Sequence, residues 1–471
     1  MSEAIALVDR LSPLDASFLY LDDTTPGYVG SVAILERPAT GPLEYDELCR
    51  LVRQRLALVP RYRQKVKRVP GDLARPVWSD DASFDLYRHV RRTKLSAPGT
   101  PEQLEQLVAR VCARRLDPRR PLWELYLVEG LADGRTAIVS KTHEALVDGA
   151  AVDLMQVLYD AGPTTRRIPA QRWRPAPERA DLLLVADAVS ELVNRPAGIA
   201  DTLRSGLRLA GRAVAAVAGA ATDVWSAAST AARPAPPTPL NLRIGERRRF
   251  AGLVTDLSDY RAVRSAYQVS VTDVVLATLA GGLRAWFMLR GERIDHTSVV
   301  RAMVPISVRA GVDGAAVGEG DARVSAVLID LPIGEPNPVV RLHQIAYGLH
   351  TRRQAGHFVR ADRMIALSGF APPTLHALGA RAVSRVSRRL ANLVVSNVPG
   401  PQRPLYLSGA RLSESYPVVP LGAGQALAVG VTSYDGRVCY GLNADGESMP
   451  DLDVLADLVE ESLAELLETV K

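Results

Sequence analysis

Side chains able to move a proton crowd into one short run, Lys141-Thr142-His143-Glu144-Ala145-Leu146-Val147-Asp148-Gly149. A histidine or carboxylate within hydrogen-bond reach of a hydroxyl can act as a general base when its pKa lies near the working pH. An unperturbed glutamate lies about two pH units below histidine, a deficit of about 3 kcal/mol in driving force. Burial in an apolar setting raises a carboxylate and recovers much of that deficit. Glu144 is therefore a candidate base provided that it is buried. His143 cannot simply take its place, because consecutive residues leaving a strand point to opposite sides.

The elements that must position this run are legible. Leu125–Glu129 and Thr136–Lys141 are short apolar runs separated by Ala132-Asp133-Gly134, a turn sequence, and predict a hairpin that delivers the run at a strand end. Residues 151–158 have helical spacing, so the run occupies a strand-to-helix loop. Pro163, Pro169, Pro175 and Pro177 follow, then two candidate helices, then Pro234, Pro236, Pro237 and Pro239. Bracketing of this kind predicts an interdomain connection. In the second of these helices Ile199, Leu203, Leu207, Ala210, Val214, Val217, Ala221 and Val224 form an apolar series flanked by Arg204, Arg208 and Arg212. That composition suits a segment lying on a membrane surface; a helix packed on the protein with arginines at its rim is the alternative. From about residue 241 a second alternating region begins, with a helix around 274–283, strands around 298–305 and 325–330, and a hairpin 426–434/437–442 turned by Asp435-Gly436. An amphipathic helix opening at Asp451, an N-cap candidate, closes the chain. The expected division is an N-terminal domain over 1–175, a helical linker over 176–240 and a C-terminal domain over 241–471, each domain mixing helices and strands in an α/β (α+β) fold.

Composition narrows the function classes. The 471 residues are 47% hydrophobic, enough for more than one core. The first thirty residues mix Asp9, Asp15, Asp22 and Asp23 with Leu and Pro, so no secretion signal is expected. The apolar runs are interrupted before the ~20 residues of a transmembrane helix, so membrane contact is expected to be peripheral. Cys49, Cys112 and Cys439 are too scattered for a disulfide framework and fit a reducing cytoplasm. The remaining histidines show no metal-ligating spacing, and residues 311–320 lack the Lys-Ser/Thr of a phosphate loop, so neither a metal nor a bound cofactor is expected. Arg53, Arg55, Arg61, Arg63, Lys65, Lys67 and Arg68 cluster without interleaved acids; they could face lipid headgroups or CoA phosphates, or form a solvated face. Few aromatics accompany them, so nucleic acid is not an expected partner.

Taken with Ser12-Pro13-Leu14-Asp15-Ala16-Ser17-Phe18, Pro121-Leu122-Trp123-Glu124, Val304–Arg309, Ser396-Asn397-Val398-Pro399-Gly400-Pro401 and Gly430–Gly436, the run at 143–149 resembles the pattern of the wax ester synthase/diacylglycerol acyltransferase family. The matching segments keep the family's order across essentially the whole chain. The resemblance implies two chloramphenicol-acetyltransferase-like halves with a substrate channel at their interface. It also implies transfer of a fatty acyl group from acyl-CoA, as co-substrate, to diacylglycerol or a long-chain alcohol at a membrane or lipid-body surface, the protein being cytoplasmic and peripheral to the inner membrane. The family motif is H-H-x-x-x-D-G, with the second His as base, the first His largely structural, and the Asp holding the loop through an ion pair. Here Glu144 stands at the base position, His143 is expected to face inward, and Asp148 is expected to pair with Arg301 or Arg323. Thr272-Asp273 stands where the family commonly has Asn-Asp, and Ala322-Arg323 where it has Asn-Arg. Asp273, Asn397 and Gly149 are expected to be structural. Two readings follow: an acyltransferase with Glu144 as its base, or a catalytically impaired homologue that binds lipid or acyl-CoA.

Overall fold

Strand β6 (Thr136–His143) is buried at every position although only Ala137, Ile138 and Val139 are apolar, so its C-terminal half carries polar side chains, Ser140 to His143, into covered surroundings. A computed structural model describes residues 9–22, 27–38, 41–147, 153–169, 173–194, 234–308, 323–354, 359–360 and 390–470. In it β6 lies inside a six-stranded sheet with β1 (Tyr28–Leu35), β4 (Val90–Lys94), β5 (Trp123–Glu129), β12 (Tyr406–Leu407) and β13 (Ala410–Val418), in the order β12-β13-β1-β6-β5-β4. One face carries Trp123, Leu125, Leu127, Ile138, Ala33 and Leu35 and packs on α1 (Pro13–Leu21), α2 (Tyr45–Arg55), α3 (Leu86–His89) and α5 (Leu154–Leu158). The opposite face, with Val32, Ile34, Tyr126, Val128, Ala137 and Val139, packs on α4 (Pro101–Ala113). Helix α4 opens with a full capping box between Thr100 and Gln103 and a proline in its first turn, a start signal written in the sequence. A two-stranded ribbon, β2 (Gln64–Lys67) and β3 (Val77–Asp80), flanks this half, and α6 (Asp181–Asn194) follows it.

The second sheet has seven strands, β7 (Arg248–Asp256), β8 (Val300–Val308), β9 (Arg323–Leu331), β10 (Val359–Arg360), β11 (Leu393–Pro399), β14 (Leu427–Tyr434) and β15 (Arg437–Asp445), ordered β10-β9-β8-β11-β14-β15-β7. Helices α7 (Leu257–Tyr267), α8 (Val271–Leu289), α9 (Pro338–Gln354) and α10 (Leu452–Glu468) share its main core. By length and composition α8 could cross a bilayer, but most of it is buried in this core. The predicted hairpin is β14–β15, with Asp435 and Gly436 at positive φ. Asp451 does precede α10, yet its side chain makes no cap bond; it accepts instead from Trp286 Nε1 at 3.1 Å, tying α10 to α8.

The first sheet is not drawn from the first 175 residues alone. Strands β12 and β13 come from beyond residue 400 and pair β13 with β1, Ser31 opposite Pro417. The excursion crosses the second sheet so closely that a Cβ at Gly441 would lie 2.0 Å from the Pro417 carbonyl oxygen; glycine is what lets the two backbones approach. One strand thus belongs to one sheet and rests on the other, so the halves share covalent and packed connections.

The basic stretch at 53–68 is largely neutralised internally. Arg55 is buried against Asp160, Arg61 pairs with Asp9, Lys65 with Glu178, and Lys67 with Glu178 and Asp181. Arg63 lies over the Trp173 ring. Acids distant in sequence supply the partners, so the expected free cationic patch is not formed by these pairs. The series at 199–224 lies outside the described residues.

Candidate functional site

Beyond the last bonds of β6 the ladder continues: the Glu144 N–H donates to the Gly27 carbonyl at 2.9 Å. His143 pairs with Tyr28 and Thr142 with Val29, so side-chain alternation puts Glu144, Thr142 and Ser140 on the α2/α5 side and His143 and Lys141 on the α4 side. The predicted opposition of His143 and Glu144 is what the backbone imposes.

His143 is 1% exposed. Its Nδ1 accepts the Ala145 N–H at 3.0 Å, which leaves the neutral ring's proton on Nε2. That buried Nε2 lies 3.6 Å from Asp22 Oδ1, and the ring meets Tyr28 edge-on. Asp22 also receives the Gly27 N–H at 3.3 Å. With one nitrogen accepting and the other protonated toward a carboxylate, His143 holds the turn before β1 against the end of β6 and is not placed as a base. Lys141, on the same side, donates to the carbonyls of Val111 (2.9 Å) and Arg114 at the end of α4, a favourable place for a cation. Burial pushes its pKa down to about 8.

Glu144 keeps a partly accessible edge. Among the described residues its carboxylate receives no hydrogen bond. Loss of hydration, with a smaller contribution from Asp22, pushes its pKa up to about 7. The carboxylate lies across Gly27: a Cβ there would stand 2.9 Å from Oε2. Glu144 is thus a carboxylate raised toward neutral pH and without a hydrogen-bond donor among the described residues.

The loop after Glu144 is anchored downstream by a buried network. Tyr62 Oη donates to Asp153 at 2.5 Å and accepts the Leu154 N–H at 3.2 Å, while Trp123 Nε1 donates to the Tyr62 carbonyl at 2.7 Å. Asp148 and Gly149 lie outside the described residues, and with them the expected Asp148 ion pair. Arg301 is described on β8, where it pairs with Asp330 on β9 at 2.6 Å. Arg323 is placed by its backbone opposite Val308. Asp273 completes the capping box of α8: its carboxylate accepts the Ser270 N–H at 2.7 Å and hydroxyl at 2.6 Å. Asn397 Nδ2 donates to Thr272 Oγ1 at 3.2 Å, so the threonine of the altered pair still joins α8 to β11. Sequence reasoning missed Gly27, Asp22 and Tyr62; a lone glycine before a strand gives no sign of the residue it will face.

Between the halves lies a cavity of ≈890 Å³ whose lining includes neither Glu144 nor His143. Ser31 and α5 residues line it from the first half, Val398–Pro401 and Thr432 from the second, and β13 contributes Leu412 and Ser415. Residues 11–275 match the model for the wax ester synthase/diacylglycerol acyltransferase catalytic domain, and residues 322–467 that for the C-terminal domain of the same group. The chain belongs to the wax ester synthase/diacylglycerol acyltransferase family. It is 31% identical to the "Probable diacyglycerol O-acyltransferase tgs1" of Mycobacterium tuberculosis, over 98% of this chain and 97% of that one. To "Probable diacyglycerol O-acyltransferase tgs2" of the same species it is 32% identical, over 98% and 100%. Among solved structures, the wax ester synthase/diacylglycerol acyltransferase from Marinobacter aquaeolei VT8 superposes with a TM-score of 0.68 at 27% identity, covering 98% of this chain and 99% of that one. The first condensation domain of the calcium-dependent antibiotic synthetase shares the fold, with a TM-score of 0.58 at 16% identity over 99% and 96%. The two-halved α/β architecture is therefore that of the family.

Proposed function

We propose that this family member is an acyl-CoA-dependent O-acyltransferase that forms triacylglycerol or wax ester, with Glu144 as its general base. The acceptor hydroxyl donates its hydrogen to the Glu144 carboxylate as its oxygen attacks the thioester carbonyl. The tetrahedral centre then collapses, the C–S bond breaks, and the proton passes from Glu144 to the departing CoA sulfur. No covalent acyl-enzyme is needed. The observation that carries this reading is the Glu144 carboxylate itself, unengaged among the described residues and raised to about 7. A base so poised at neutral pH gains most of what an imidazole would offer there.

The acceptors of such a reaction are insoluble, so the enzyme works at a lipid surface, as a cytoplasmic protein bound peripherally to the inner membrane or a lipid body. Supporting this, α6 exposes Leu182, Leu183 and Val189, and the cysteines are free thiols. The test supplies purified protein with palmitoyl-CoA and either diacylglycerol or hexadecanol and measures thiol release. Wild type is expected to turn over, Glu144→Ala to lose at least a hundredfold, and Glu144→His to retain activity. Activity in Glu144→His alone would instead identify a lipid- or acyl-CoA-binding homologue that lacks its base.

A further inference from the structure

The cavity between the halves carries a charge imbalance that the proton transfer does not use. Arg55, Arg166 and Arg403 line it, and Asp160 is the acid among its lining residues. Asp160 is fully engaged: Arg55 Nη2 donates to its two oxygens at 2.7 and 2.8 Å, and the Arg166 N–H adds a third bond at 3.3 Å. That pair cancels. The guanidinium groups of Arg166 and Arg403 have no carboxylate or hydrogen-bond partner among the described residues, and both side chains are exposed. They come from opposite halves, Arg166 from the loop after Asp160 and Arg403 from the loop after β11. Two such cations at the mouth of a cavity large enough for a nucleotide form a site for clustered phosphates.

From the cavity, β1 runs toward the base. Ser31 lines the cavity, and Ser31, Val29 and Gly27 share one face by alternation; the Glu144 carboxylate lies over Gly27. Four residues of extended chain separate Ser31 from Gly27, about 13 Å, a span suited to an outstretched pantetheine arm. We propose that Arg166 and Arg403 bind the phosphates of the acyl donor's nucleotide, so that the arm runs along β1 and brings the thioester to Glu144. This rests on the acyl-CoA reading above. It also moves phosphate recognition from the 53–68 stretch, whose cations are largely engaged by internal partners, to two arginines with no charged partner among the described residues.

The test titrates CoA calorimetrically into the full chain and into Arg166→Gln/Arg403→Gln. It also measures, for each protein, the ratio of kcat/KM for palmitoyl-CoA to that for S-palmitoyl-pantetheine, which has no nucleotide. The double variant is expected to weaken CoA binding roughly tenfold and to lower the kinetic ratio by a similar factor. CoA affinity and ratio both equal to wild type, in a variant with an unchanged melting profile, overturn the proposal. Binding is read without turnover, so a protein that binds CoA through these arginines yet releases no thiol defeats the catalytic reading and leaves this site standing. Vesicles with and without phosphatidate form the third arm. A variant that loses phosphatidate-dependent binding while keeping its CoA affinity would assign the phosphate to a lipid headgroup and overturn the proposal.

Discussion

Replacing Glu144 by Gln removes the titrating group while keeping its shape, and the structure sets the size of the response. The carboxyl is raised from 4.5 to about 7, chiefly by lost hydration. Holding it ionised well above pH 7 therefore costs the folded state about 3 kcal/mol, and the partly accessible edge of Glu144 makes this an upper figure. The sign follows from linkage: a carboxyl whose folded pKa is raised binds more protons in the native than in the unfolded state between the two values. Wild-type stability should thus fall as pH rises from about 4.5 to 7 and level off beyond. The amide carries no charge at any of these pH values, so the gain of Glu144→Gln over wild type should be near zero at pH 4.5 and reach about 2–3 kcal/mol at pH 8. Urea unfolding of both proteins at intervals from pH 4.5 to 8 reads this difference directly. The same variant should lose thiol release by a factor of about 10²–10⁴. A stability difference that does not change across that range would mean that Glu144 titrates at an ordinary carboxylate pKa, and the reasoning that makes it a base at neutral pH would fail.

Other perturbations test neighbouring links. The pH dependence of kcat/KM should show activity rising through an apparent pKa of about 7, and Glu144→Ala should abolish that inflection. Gly27→Ala should push the carboxylate aside, because the new Cβ would stand 2.9 Å from Oε2; a loss of about tenfold in kcat with little change in melting is expected, and unchanged kinetics would place the working carboxylate elsewhere. His143→Ala deprives the Ala145 N–H of its acceptor and empties a buried site, so it should destabilise by roughly 2–4 kcal/mol, with the pH inflection retained in whatever activity survives. Asp160→Asn leaves Arg55 buried without its counter-ion and should cost about 3–5 kcal/mol in denaturant unfolding.

The parts of this architecture that announce themselves in sequence are those written in local chemistry. The hairpin of β5 and β6 around Ala132-Asp133-Gly134 and the hairpin turned by Asp435-Gly436 each depend on neighbours a few residues away. The face each of His143 and Glu144 would take follows from strand alternation alone. What escaped depends on distance in the chain. Arg55 meets its counter-ion at Asp160, and the 53–68 stretch reads as a cationic patch only while Asp9, Glu178 and Asp181 are out of sight. Strand β13 joins the first sheet because Pro417 can pass over Gly441, an approach no linear pattern encodes. Asp451 sits where a cap is expected, but a tryptophan from another helix takes its carboxylate. The Gly27 contact combines the two cases: the glycine is visible, but the carboxylate it accommodates is more than a hundred residues away.

The exchange of an imidazole for a carboxylate changes which property of the site does the catalytic work. A histidine brings a near-neutral pKa with it, and its surroundings need only avoid disturbing it. A glutamate brings the wrong one by about 3 kcal/mol, and the surroundings must supply the difference. Here the difference comes chiefly from withholding water from the carboxylate, with a smaller part from the nearby negative charge of Asp22, and no described residue donates a hydrogen bond that would stabilise its charged form. Each of these also raises the cost of keeping the ionised side chain in the folded protein, so competence as a base and strain on the fold are the same free energy seen from two sides. His143 is exempt from this exchange because it faces the other way and is held by Ala145 and Asp22. On the proposed mechanism the sheet thereby separates the residue that must be rigid from the residue that must be reactive, although the two are adjacent in the chain.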